Sequence, residues 1–73
     1  MTLDLTGLAC PLPVLRANKA LKPMAVGTDV RILASDPAAP ADFRAFCATT
    51  GHTLINCHEE HGVFVIHIRK GAM

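Results

Sequence analysis

Two stretches with helical spacing, set among stretches that alternate, leave this chain few ways to fold. Val14, Ala17, Leu21 and Met24 recur at i, i+3, i+7 and i+10 within residues 11–24, with Ala20 at their edge. Phe43, Phe46, Cys47 and Thr50 fall at i, i+3, i+4 and i+7 within residues 41–50. Before the first helix, residues 2–6 alternate, with Leu3 and Leu5 opposite Asp4. Between the helices, residues 29–35 place Val30, Ile32 and Ala34 on one face. Residues 53–58 and 63–69 read as two strands joined by Glu59-Glu60-His61-Gly62, a link short enough to make them an antiparallel hairpin. The order is β-α-β-α-β-β. Right-handed crossovers put both helices on one side of a partly parallel sheet. The expected fold is an α+β two-layer sandwich with a mixed four-stranded sheet.

Breakers mark the joints. Gly7 ends the first strand, Pro23 and Gly27 close the first helix, and Gly51 follows the second. Asp36-Pro37-Ala38-Ala39-Pro40 forms a rigid loop, and Asp42 lies in the next helical turn, where the dipole favours an acid. Ala39 stands where a polar cap is expected, which loosens the start of that helix by about 1 kcal/mol. One domain over residues 1–73 is expected, with an ordered core of about 2–70. A chain this short buries only about 60% of its unfolded surface. Its 51% hydrophobic content is therefore needed for a core.

Charge and composition exclude several functions. A net charge of +1 argues against a nucleic-acid or membrane-surface binder, and with Phe as its only aromatic residue the chain lacks a stacking platform for single strands. The longest strongly apolar stretch, Val63 to Ile68, falls far short of the roughly 20 residues that cross a membrane. Asp4 and the missing basic flank speak against a signal peptide. Three cysteines, an odd number without secretory context, point to free thiols in a reducing cytoplasm. No cofactor loop of the Walker, G-x-G-x-x-G or G-x-S-x-G kind occurs. Cys57-His58-Glu59-Glu60-His61 has metal-ligand chemistry but crowds one turn without a distant second half, while His52 and His67 lie on other elements. It reads as a solvated turn, and no metal or cofactor is expected. Cys57 is placed opposite Leu54. A second sheet face carrying Leu33, Ile55, Val63 and Val65 is either bare or paired in an oligomer.

The chemistry concentrates in Gly7-Leu8-Ala9-Cys10-Pro11-Leu12-Pro13-Val14. Cys10 stands at a strand-to-helix junction, where free N–H groups create positive potential. The helix begins either at Cys10 or at Leu12. In both cases the prolines stiffen the segment and leave the amides of Leu12, Val14 and Leu15 available to an anion. Arg16 and Lys19 add positive charge, and no acid occurs between Pro11 and Pro23. This predicts an accessible cysteine with a depressed pKa. The competing reading is a small apolar core residue before a proline. With Val14, Ala17 and Leu21 against the sheet, Leu12 and Leu15 face solvent beside Arg16 and Lys19, an apolar patch with a cationic rim. Cys47, on the core stripe, reads as buried and inert.

With these residues set out, the sequence resembles the TusA family of small sulfur-carrier proteins, also called SirA-like. The resemblance rests on Leu3-Asp4, Gly7-Leu8, Cys10-Pro11-x-Pro13-Val14, Gly27, Asp36-Pro37, Asp42, Cys47, Gly51-His52 and Ile68-Arg69-Lys70. It implies a persulfide on Cys10, received from a cysteine desulfurase or other persulfide donor and passed to a downstream acceptor protein. That chemistry serves tRNA thiolation, cofactor biosynthesis or sulfur oxidation. It implies positioning roles for Gly7, Pro11 and Pro13, and partner contact through Leu12, Leu15, Arg16, Lys19 and Asp36. Asp36 equally fits a turn-stabilising role before Pro37. Leu12 fills a position where some members carry Glu, so partner preference does not carry over. The rival reading is a non-catalytic interaction or redox-regulatory module in which the Cys-Pro-x-Pro turn is only structural.

Overall fold

The computed structural model describes residues 1–72; Met73, the last position of the expected domain, lies outside the described residues. Six elements occur in the expected order: β1 (Thr2–Asp4), α1 (Leu12–Leu21), β2 (Asp29–Ala34), α2 (Ala39–Thr50), β3 (Thr53–Glu60) and β4 (Val63–Arg69). They build a four-stranded sheet in the order β1-β2-β4-β3. β1 runs parallel to β2, and the β2–β4 and β3–β4 pairs are antiparallel. The sheet is therefore mixed, as the crossover argument requires.

Register places the core. Val30 pairs with Ile68 and Ile32 with Ile66, and all four are fully buried on the face that meets the helices. Ala17 and Leu21 of α1 and Phe43, Phe46 and Cys47 of α2 close over that face. Both helices thus cover one side.

Local details depart from the sequence expectation in four places. First, α1 starts at Leu12, one of the two expected starts, but its buried positions are Pro13, Ala17 and Leu21. Val14 and Met24 are only half-buried, so the packed stripe sits one residue round from the expected one. Pro13 is tolerated because the first helical turn has no use for its missing N–H. Second, α2 starts at Ala39, ahead of the expected residue 41. Ala38, at the cap position, contributes no side-chain bond. Asp36 acts instead: its Oδ1 accepts the Ala38 N–H at 2.8 Å and its carbonyl accepts the Ala39 N–H at 3.0 Å.

Third, the hairpin strands reach to Glu60 and back from Val63, leaving His61-Gly62 as a two-residue turn. Both residues have positive φ, 51° and 81°. Such a turn matches the twist of the flanking strands. Fourth, β3 carries a bulge between Leu54 and Asn56. The extra residue reverses the alternation, so Leu54 and Cys57 both pack against the core instead of facing opposite ways. Cys57 is therefore turned away from the polar turn, where His58 and Glu60 lie 3.5 Å apart. Ile55, expected on the far face of the sheet, is the bulge residue and is exposed.

The chain end is tied down by polar contacts that periodicity did not reveal. Lys70 is buried, and its Nζ donates to the Leu21 carbonyl at 2.9 Å, placing a cation at the C-terminus of α1. The Gly71 N–H donates to Nδ1 of buried His52 at 2.9 Å. A Cβ at Gly71 would collide with the carbonyl oxygen of Gly51, the left-handed residue (φ 88°) that ends α2. Burial, and then the neighbouring Lys70 charge, hold His52 below the usual histidine pKa of 6.5. The folded state thus prefers neutral His52, whose Nδ1 must accept. The unfolded chain binds the extra proton first as pH drops, so stability is full above about pH 6.5 and declines as acid drives the ring toward its folded pKa. A melting-temperature series from pH 8 to pH 5 is expected to fall through that window in the natural chain and to fall less in His52→Gln. Equal slopes for the two proteins would contradict this role.

Candidate functional site

The segment from Leu5 to Pro11 leaves the end of β1 and is pinned along the end of β2. Leu5 N–H donates to the Leu33 carbonyl at 2.8 Å, and Gly7 N–H donates to Ser35 Oγ at 2.8 Å. Gly7 has φ 83°, a conformation that favours glycine. The Cys10 N–H then donates to Asp36 Oδ2. One carboxylate therefore fixes both the cysteine backbone and the start of α2. The bonds from Ala38 and then Cys10 hold Asp36 below the usual carboxylate pKa, so it stays ionised. This geometry gives Asp36 the turn-stabilising role.

Cys10 is exposed, Cys47 is buried and Cys57 is intermediate. Accessibility at Cys10 is as the sequence predicts, but its electrostatics are reversed. Interaction with the Asp42 carboxylate comes first, then partial desolvation and the negative charges of Asp42 and Asp36, and together they push the Cys10 pKa up from its ordinary value. The expected depression fails for two reasons. The acids arrive from the β2–α2 loop and from α2, outside the segment that carries Cys10 and the α1 cations. Two of the three amides expected to face the sulfur are used elsewhere: Leu12 N–H donates to the Ala9 carbonyl at 2.9 Å, and Leu15 N–H to the Pro11 carbonyl at 3.2 Å. Pro11 stands at the cap position of α1 and Pro13 within its first turn. Burial pushes the Cys47 thiol up, which suits an inert core residue.

Leu12 and Leu15 are exposed, 43% and 56%, and Arg16 and Lys19 share the exposed side of α1. A second surface went unnoticed in the sequence. An open groove of about 350 Å³ runs between the start of α1 and α2, with Cys10, Pro11 and Val14 on one wall and Asp42, Ala45 and Phe46 on the other. Asp42, Ala45, Phe46 and Thr49 stand at i, i+3, i+4 and i+7, a stripe beside the core stripe that was legible but overshadowed. Among the described residues no group of three or more His, Cys, Asp or Glu side chains is placed to hold a metal, and no helix is long and apolar enough to cross a membrane.

The sulfurtransferase TusA family profile matches residues 1–70. The chain belongs to the TusA family. A protein of Neisseria meningitidis serogroup A is 55% identical over 89% of this chain and 88% of its own. The sulfur carrier protein TusA of Allochromatium vinosum is 46% identical over 93% of this chain and 90% of its own. In three dimensions the chain is similar to the crystal structure of a SirA-like protein from Desulfitobacterium hafniense, with a TM-score of 0.82 and 28% identity over 96% of both chains. The TusA resemblance read from Cys10-Pro11-x-Pro13 and its companions is thereby confirmed, as is the expected α+β fold.

Proposed function

We propose that this TusA-family sulfur carrier holds its sulfur as a persulfide on Cys10, received from a cysteine desulfurase or another persulfide donor and handed to a cysteine of a downstream acceptor protein. The observation that supports the site is exposure: Cys10 alone of the three thiols is exposed, at the rim of an apolar groove. In loading, Cys10 gives its proton to solvent and its thiolate attacks the outer sulfur of a donor persulfide. The donor S–S bond breaks, its electron pair leaves on the donor sulfur, and that thiolate takes up a proton. Release repeats the step with the acceptor thiolate as nucleophile. Sulfane sulfur moves without net oxidation, so no oxidant or reductant is required.

Gly7, Pro11 and Pro13 hold the turn, and Leu12, Leu15, Arg16 and Lys19 form the patch offered to partners. Free thiols suit a reducing compartment, the cytoplasm. The test is to incubate the protein with a desulfurase and cysteine, then weigh it intact and map its peptides. The expected result is one added sulfur on Cys10 that disappears when an acceptor thiol is supplied. The raised thiol pKa favours a second reading, a non-catalytic interaction or redox-regulatory module. Such a module would gain no sulfur, or would end as a stable disulfide or glutathione adduct.

A further inference from the structure

We propose that Asp42 is a positioning residue that keeps the exposed Cys10 sulfur unreactive in the free protein, and that exchange partners activate it by seating a Lys or Arg side chain against Asp42 in the groove between α1 and α2. The proposal rests on Cys10 as the sulfur-bearing atom. Asp42 and Cys10 line the same groove, whose other walls are Pro11, Val14, Ala45 and Phe46 and the threonines 49 and 50. Asp42 is thus the only carboxylate or cation lining it. None of the ion pairs among the described residues engages Asp42.

Of the groups that face the sulfur, Asp42 comes from α2 and Asp36 from the β2–α2 loop. Asp36 is already committed to the backbone of Cys10 and Ala38. The cations of α1, Arg16 and Lys19, lie on its exposed side and do not line the groove. The groove therefore has apolar walls and one uncompensated negative charge at the reactive atom. The complementary occupant is an apolar segment with a cation beside its own sulfur.

A carboxylate in this position acts on both halves of the relay. Before loading, it holds the proton on the thiol and lowers the fraction available as nucleophile. After loading, it makes Cys10 a poorer leaving group, because a thiolate beside a negative charge is disfavoured and low-pKa thiols leave faster. Stray thiols then discharge the carrier slowly. A partner cation that pairs with Asp42 removes the penalty in both directions while the partner is docked. The charge thus selects for the docked partner.

The test uses the purified full chain without any desulfurase, so it reads independently of whether sulfur is carried. Alkylation of Cys10 by iodoacetamide, followed by peptide mass mapping across pH, gives the midpoint for thiolate formation. Asp42→Asn is expected to lower that midpoint and raise the alkylation rate at pH 7. The second measurement compares exchange with cystamine, a cationic disulfide, against neutral hydroxyethyl disulfide, each normalised to N-acetylcysteine. The natural protein should favour cystamine by about two- to fivefold at low ionic strength, the range of a solvent-exposed ion pair. That preference should fall to about unity in Asp42→Asn, and in the natural protein at high salt. An unchanged midpoint, a preference that survives both changes, or a preference abolished only by Asp36→Asn would overturn the proposal. Should Asp42→Asn fold poorly, as judged by circular dichroism, the salt response of the natural protein decides.

Discussion

Replacing Phe43 by alanine is expected to remove between about a quarter and all of the protein's stability. Phe43 is the largest fully buried side chain, and its ring meets that of Phe46 edge-on, with centroids 6.2 Å apart. Truncating such a residue costs about 3–5 kcal/mol, from lost transfer energy and the cavity left behind. A chain of 73 residues has about 4–11 kcal/mol in total. The loss is therefore at least about a quarter of the stability, and all of it at the low end of that range. Urea titration should show the midpoint reduced by at least about a quarter, with Phe43→Leu falling between the two. A midpoint within error of the natural protein would show that α2 does not depend on this contact. The consequence reaches the site, because Asp42 is the neighbour of Phe43 on the helix. Burying one side chain against the sheet turns the preceding one, about 100° round the helix, toward α1.

Changing Cys10 to serine is expected to reduce sulfur loading to background, while Cys47→Ser and Cys57→Ser each retain it. A serine hydroxyl supplies no sulfur nucleophile and forms no persulfide, so the expected loss is complete. Cys47 is walled in by the core, and Cys57 packs against it. Cys47 offers the outer sulfur of a donor no approach, and Cys57 is less open than Cys10. Intact mass after incubation with the donor reads all three variants in one experiment. Loading that survives in Cys10→Ser, or vanishes only in Cys57→Ser, would move the site away from the α1 junction. Cys57→Ser also places a hydroxyl against the core, so its folding should be checked by thermal melting before its loading is compared.

Much of this was legible in the chain alone. Apolar periodicity assigned six elements in their observed order, and crossover handedness put α1 and α2 on one side of the sheet. Each signal depends only on residues a few positions apart. The Cys10-Pro11-x-Pro13 turn, the glycines at 7 and 51 and the exposed Leu12 and Leu15 were readable for the same reason. The bulge in β3 was not, because one extra residue leaves composition and spacing intact while reversing which side chains face inward. Nor was the cap of α2, since Asp36 works through backbone amides across a loop that looks only like a breaker.

The amino-acid sequence by itself settled the family, the element order and the one cysteine placed at a strand-to-helix junction, because local pattern and covalent order carry that information. The charge around that cysteine was decided only when the chain closed up. Asp36 and Asp42 are distant from Cys10 in sequence and adjacent in space, and Coulomb forces follow distance through space. Counting charges along α1 therefore predicted a lowered thiol pKa where the folded protein raises it.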